Sequence, residues 1–271
     1  MTLVRGMLTG LGETLVLDPE LLDDLKTAVS EACNNVVLHA YPDAPGPLVV
    51  ELEIGLDELQ ATVRDHGGGI KQISAAEDRM GVGLAVISAL ADRAEFQSVP
   101  EGGTAVRMEF GDRGAGIKQW DLPEQVDPPG EPVQLTGDVV VTLSSAKLLS
   151  GVLGRVARAA AAVANFSLDR FSDLYLITDE ISAHAESAVR EGVSFAIAAD
   201  AAQLNLTIGP FVTGSSARLA GAEPPSAHAF PLARLVDRLT VQSDGVAELV
   251  SVVVRDKRED RPDSQRDLAP P

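Results

Sequence analysis

Two runs of regularly patterned sequence flank Gly111 to Gly137, a stretch in which Gly111, Gly114, Gly116, Pro123, Pro128, Pro129, Gly130 and Pro132 break any helix or strand period. Glycine has the most backbone freedom to lose and proline lacks the amide that a ladder or helix interior needs, so such a stretch reads as a linker. The 271-residue chain must therefore build two cores rather than one. The reading places a first domain over 1–111, a linker over 112–136 and a second domain over 137–256. The charge-alternating end, 257–271, finishing in Pro270 and Pro271, reads as a disordered tail. With 45% hydrophobic but only 4% aromatic residues, the cores are filled by Ala, Val and Leu.

Charge narrows the function classes. A net charge of -18 repels a phosphate backbone, so direct nucleic-acid binding is not expected and a basic protein surface is the better partner. One cysteine, Cys33, and four scattered histidines, His39, His66, His184 and His228, offer neither an internal disulfide nor metal-ligand spacing. No apolar run approaches the roughly 20 residues that span a bilayer, and Met1 to Glu13 lacks a secretory pattern. The reading is a cytoplasmic protein without membrane contact.

In the first half, Val4 to Leu11 and Pro19 to Ala40 carry apolar residues at helical spacing, the second run opening on Asp18 as N-cap and Pro19. After the proline-rich turn at Tyr41 to Pro47, Leu48 to Ile54 and Leu59 to Val63 alternate as strands. A glycine-rich loop, a helix over Gly83 to Leu90, and strands at Ala94 to Val99 and Ala105 to Phe110 complete the order. Helices interrupting hairpin-linked strands predict a two-layer α/β (α+β) sandwich, with helices on one face of a mostly antiparallel or mixed sheet.

Four short segments carry chemistry. Glu31, Asn35 and His39 recur every four residues, so one helix face projects all three while Val29, Ala32, Val36 and Val37 face a core. A carboxamide oxygen suits a hard cation such as Mg²⁺ and a carboxylate can deprotonate a nucleophile; a solvated polar face explains the same residues. Asp65, Gly67 and Gly69 place a carboxylate at a strand end before glycines that permit close backbone approach, a pattern that fits an adenine amino group or an ordinary turn. Gly81, Gly83 and Leu84 open a helix whose N-terminal amides fit phosphate, or merely follow a flexible loop. Gly102, Gly103 and Thr104 precede a strand as a hairpin turn would.

Order and spacing join these segments. Ser30-Glu-Ala-x-x-Asn-x-x-x-His-Ala-Tyr41, Asp65-x-Gly-x-Gly69, Gly81-x-Gly-Leu84 and Gly103-Thr104 together resemble the GHKL ATPase superfamily, in its anti-sigma-factor serine kinase branch, over about Leu3 to Phe110. The resemblance implies the histidine-kinase-like ATPase fold, with ATP and Mg²⁺ as cofactors. It implies Glu31 as general base or polarising group, Asn35 as Mg²⁺ ligand, and Asp65 as the acceptor of the adenine amino group, supported by Thr104. Gly67 and Gly69 would admit adenine against the backbone, the amides around Gly81, Gly83 and Leu84 would hold phosphates, and Gln72 to Asp78, flanked by Lys71 and Arg79, would form a lid. It further implies serine phosphorylation of a STAS-type anti-sigma-factor antagonist and sequestration of a sigma factor. A nucleotide-dependent binding module without phosphotransfer is the competing reading. Sensor histidine kinases share the superfamily, but no phosphoacceptor hairpin stands before Thr2. The strand that precedes the first helix in this branch is not seen either.

The second half echoes the first. Val139 to Leu143 alternate, helices follow over Ala146 to Ala164 and Asp169 to Ala188, and Leu204, Leu206 and Ile208 repeat Leu59, Ala61 and Val63. Glu180 aligns with Glu31 but His184 with Asn35, and Gly209 and Pro210 stand where an Asp is needed. Ser226 and His228 replace the phosphate-box glycines before Phe230, Leu232 and Leu235 at helical places, while Asp237-Arg238 matches Asp92-Arg93. The pattern predicts a tandem, degenerate copy that keeps the fold and loses the ATP motifs, packed on the first domain as an intramolecular pseudo-dimer, with an unrelated α/β domain as the alternative.

Overall fold

The chain enters its fold through two helices joined at a tight corner, α1 (Thr2–Leu15) and α2 (Pro19–Asn35). In α1 the spacing of Leu8, Leu11 and Leu15 lines one buried face. At the corner Val16 takes a positive φ of 54°, and the Leu17 amide reaches back to the Gly12 carbonyl at 2.9 Å, closing the helix through a left-handed residue. Asp18 then caps α2, its Oδ1 accepting the amides of Glu20 and Leu21 at 2.9 and 3.2 Å, with Pro19 pre-set for the first turn.

The computed structural model describes residues 2–41, 46–55, 58–68, 82–99, 102–111, 135–190, 192–221 and 232–256. The chain divides into two units, Met1–Glu124 and Gln125–Pro271. The expected linker over 112–136, apart from residues 135–136, and the tail over 257–271 lie outside the described residues.

In the first unit, β1 (Leu48–Ile54), β2 (Glu58–Asp65), α3 (Val82–Leu90), β3 (Arg93–Ser98) and β4 (Thr104–Gly111) follow the helix pair. The sheet is antiparallel throughout, in the order β1-β2-β4-β3. Alternation puts Leu59, Ala61 and Val63 of β2 and Val106, Met108 and Phe110 of β4 on one buried face. Against this face α2 packs Leu25, Ala28, Val29, Ala32 and Cys33, all within 2% of full burial. The opposite face carries polar pairs such as Arg64 with Glu51 at 3.3 Å. This is the two-layer α/β sandwich that the patterning predicts. One boundary differs: α-helical winding stops at Asn35, and Val36–Ala40 form a π-helical turn. There the Ala40 carbonyl accepts the Gly68 amide at 3.1 Å, which ties the helix end to the loop after β2.

The second unit contains β5 (Val139–Leu143), α4 (Leu149–Val163), α5 (Leu168–Ala188), β6 (Val193–Asp200), β7 (Gln203–Val212), β8 (Arg238–Ser243) and β9 (Ala247–Arg255). Its sheet, also antiparallel, has the order β5-β6-β7-β9-β8. Val152, Leu153 and Val156 of α4 and Ile177 and Ile181 of α5 meet Phe195, Ile208 and Val250 in a core with no exposure at all. One expectation is corrected. Leu232 and Leu235 do not share a helix; Leu232–Arg234 form a 3-10 turn, and by Asp237 the chain is already bonded into the sheet, its amide reaching the Val253 carbonyl at 2.9 Å. Ser226, His228 and Phe230 lie outside the described residues. A bulge interrupts β7. Against β6 the ladder runs on to Gly209, which pairs with Ser194, while against β9 the register shifts between Ile208 and Phe211 and sets Phe211 opposite Glu248.

Candidate nucleotide site

The last turns of α2, the end of β2, the start of α3 and the turn before β4 converge in the first unit. Gly83 lies against Glu31: a Cβ built there would overlap the Glu31 carboxylate, and only glycine leaves that space. The carboxylate of α2 is thereby seated on the first turn of α3, the end of a helix whose backbone amides have no intrahelical partner. Leu84 follows, half-buried on α3. One turn along α2 from Glu31, Asn35 has a buried Nδ2 with no hydrogen-bond partner among the described residues. A buried carboxamide without a partner is expensive, so the position is suited to a ligand that supplies one.

Asp65 ends β2 at 3% exposure, and its Oδ1 accepts the Gly67 amide at 2.8 Å, which folds the chain sharply after the strand. Gly67 itself touches the Ala40 carbonyl so closely that a Cβ would collide with it. Tyr41 reinforces this junction: its hydroxyl donates to the Pro47 carbonyl at 2.6 Å and accepts the His66 amide at 2.9 Å. On the other side of β2, Gly102 and Gly103 take φ of 97° and 98°, a conformation that favours glycine. Gly103 packs on the Asp65 carbonyl with no space for a side chain. Since Arg64 pairs with Ala105, the next step along both strands sets Thr104 beside Asp65.

Glu31 and Gly83 are thus one cluster, and Asp65, Gly67 and the Gly103–Thr104 turn another, the π-helical turn linking α2 to the second. Gly69, Gly81, Lys71, Arg79 and the lid segment 72–78 lie outside the described residues. His39 is exposed at the end of the π turn. Cys33 is fully buried in the core, and burial pushes its thiol up to about 11, which leaves it a packing residue. The Tyr41 hydroxyl is the contribution that sequence reasoning missed. Tyr41 closes the quoted motif, but its partners stand 6 and 25 residues away.

Among the described residues no group of three or more His, Cys, Asp or Glu side chains is placed to hold a metal. A hard cation here would take the Asn35 carboxamide, with remaining ligands from phosphate and water, the usual arrangement for Mg²⁺ beside a nucleotide. Among the described residues the buried Asn35 Nδ2 has no partner; as a donor it fits a phosphate oxygen beside the cation, while the carboxamide oxygen would serve the cation itself.

The sequence profile of the family described as "Histidine kinase-like ATPase domain" matches residues 1–110. An anti-sigma F factor of Oceanobacillus iheyensis is 38% identical over 105 residues, covering 34% of this chain and 72% of the relative. The chain belongs to the histidine kinase-like ATPase family. Anti-sigma F factors of a Thermoanaerobacter species and of Clostridium perfringens are each 36% identical to this ATPase-family chain, which covers 73% and 76% of them. All three matches take in 34% of the chain. Among solved structures, the histidine kinase domain of the Erythrobacter litoralis EL346 blue-light activated kinase matches at 26% identity with a TM-score of 0.28. The longer kinase structure matches at 25% with 0.30. The chain spans 45% and 30% of those two structures.

Proposed function

We propose that the first unit binds Mg-ATP and transfers its γ-phosphoryl group to a serine hydroxyl of a partner protein. The observation that carries this reading is the contact between Glu31 and Gly83, which holds a carboxylate over the helix start where phosphates would be bound. In the proposed arrangement Asp65, buried and turned by the Gly67 amide, accepts the adenine amino group, with Thr104 alongside. Gly67 and Gly69 leave adenine room against the backbone. The amides around Gly81, Gly83 and Leu84 orient the phosphate oxygens. Asn35 holds Mg²⁺, which when bound offsets charge on the triphosphate. Glu31 accepts the proton of the serine hydroxyl as its oxygen attacks the γ-phosphorus, and ADP leaves.

Similarity to anti-sigma F factors supports a sigma factor as one partner and a STAS-type antagonist as the phosphoacceptor, regulating transcription through protein contacts. No helix of the described residues is long and apolar enough to cross a membrane, in keeping with a cytoplasmic setting. The test is transfer of labelled γ-phosphate from ATP to candidate antagonists: Glu31→Ala should lose transfer while retaining ATP binding. A second reading has its own support, because every group except Glu31 serves binding alone. If wild type binds ATP and labels no antagonist, the protein is a nucleotide-dependent binding module.

A further inference from the structure

The second unit reproduces the first in details that the strand order alone does not require. Apart from the added edge strand β5, its order β6-β7-β9-β8 matches β1-β2-β4-β3. The α4–α5 corner repeats the α1–α2 corner: Asn165 has φ of 58° where Val16 has 54°. The Phe166 amide reaches the Ala161 carbonyl at 3.0 Å, as Leu17 reaches Gly12 at 2.9 Å. At the opposite end of the sheet, Asp237 and Asp92 lie in the same bonds. Each amide donates across the hairpin at 2.9 Å, to Val253 and Glu109 respectively. Each carboxylate accepts an amide at 2.7 Å, from Arg255 and Gly111 respectively.

This correspondence locates the counterpart of the nucleotide site. Counting from the helix corner puts Glu180 at the place of Glu31 and His184 at that of Asn35. Counting from the strands, Ile208 faces Val250 as Val63 faces Val106. The bulge then sets Phe211 and Glu248 where Asp65 and Thr104 stand. Phe211 is 1% exposed, and its ring lies 5.3 Å from that of His184, tilted by 52°. Glu248 is 7% exposed, and its two carboxylate oxygens accept the Gly214 amide at 2.6 Å and the Ser216 amide at 3.0 Å. A loop that follows the strand thus spends its amides on an anion that the protein itself supplies.

We propose that the second unit is a copy of the nucleotide-binding fold whose ligand place is closed from within. The Phe211 ring occupies the position of the adenine-binding carboxylate, and Glu248 acts as an internal anion seated on the Gly214 and Ser216 amides. The chain then takes one adenine nucleotide, in its first unit, and the second unit serves as a nucleotide-independent module. His184 fits this role: an imidazole packed on a phenyl ring, with its Nε2 buried and unpartnered among the described residues, is a poor ligand for a hard cation.

The inference rests on the reading of the first unit as the nucleotide site, and two measurements on the full chain separate them. Titration calorimetry with Mg-ATP should give one site in the wild type and none in Asp65→Asn. Two sites, or a saturable site that persists in Asp65→Asn, would overturn the closed second unit and leave the first-unit reading standing. No binding by wild type would overturn the first-unit reading instead. Hydrogen exchange tests the closure independently of nucleotide. The Gly214 and Ser216 amides should exchange at least about tenfold faster in Glu248→Ala than in wild type, with α4 unchanged. Glu248→Gln, which keeps one carbonyl acceptor and most of the packing, should fall between. Equal rates in wild type and Glu248→Gln, or acceleration spread evenly over α4, would overturn the closure.

Discussion

Asn35 is the residue whose surroundings ask most plainly for a ligand. Its buried amide nitrogen has no partner among the described residues, and a phosphate oxygen of a bound nucleotide would supply one. For the wild type, Mg-ATP at about 100 times its dissociation constant should add about 2.7 kcal/mol to unfolding of the first unit. Asn35→Ala should lose most of that gain, seen as a collapsed shift in differential scanning with and without Mg-ATP. Gly83 tests a different link. Its lack of a side chain leaves space for the Glu31 carboxylate, so Gly83→Ala must push that carboxylate aside while preserving the backbone amide. A displacement of about 1 Å at a reacting group costs about 10²-fold in rate. Gly83→Ala should therefore lose phosphoryl transfer by about that factor, with Mg-ATP affinity altered far less. Equal losses in rate and affinity would mean that the glycine serves the phosphates alone. Glu31, Asn35 and Asp65 were each legible because a helix period or a strand end fixes where a side chain points. The lack of a partner at Asn35 was not, because it depends on what every neighbouring element leaves uncovered.

Elements were read well where local rules govern them. Asp18 and Pro19 announce the start of α2, and the cap is made. Asp18→Ala should cost about 1 kcal/mol of first-unit stability, checked by denaturant unfolding with a probe in that unit, with the second unit unaffected. The counterpart in α5 could not be foreseen. There the Ser167 amide and hydroxyl both bond the carboxylate of Asp256 at 2.7 and 2.8 Å, across 89 residues of chain. The π turn at Val36–Ala40 was hidden for a similar reason. Its winding is bound up with Ala40 and Tyr41 reaching the loop after β2, and helical periodicity has no term for such distant bonds. The bulge in β7 belongs with these, since Gly209 and Pro210 mark an irregularity but do not say which residue faces Glu248.

At the scale of the whole molecule, the two units as proposed differ: the first has an open site and the second a closed place. The difference has a pH signature. Burial, assisted by the nearby Arg218 charge and opposed by Glu248, holds His184 below its ordinary 6.5. The folded second unit stays neutral there while the unfolded chain takes up a proton, so stability falls as pH drops from 6.5 towards the lowered value. The Gly214 amide, with help from Ser216 and His184 and against burial, holds Glu248 below its ordinary 4.5. Its contribution is complete above 4.5 and is lost as pH falls through the lowered value. Hydrogen exchange of β7 amides in the full chain should therefore show the second unit weakening in two stages on acidification. His184→Gln should remove the first stage and leave the second, and a single stage insensitive to that change would count against the arrangement.

Composition, spacing and capping by themselves determined that this chain has two patterned halves, that the first is an α/β sandwich, and that Glu31, Asn35 and Asp65 stand on a helix face and at a strand end. Each of these follows from interactions within a few positions along the chain, where backbone geometry leaves little choice. Tertiary structure alone decided that Glu31 rests on Gly83, that Tyr41 locks the helix end to the loop after β2, and that Phe211 stands opposite Glu248. Those outcomes depend on register and packing between segments far apart in sequence, where a single bulged residue changes which side chain faces the site.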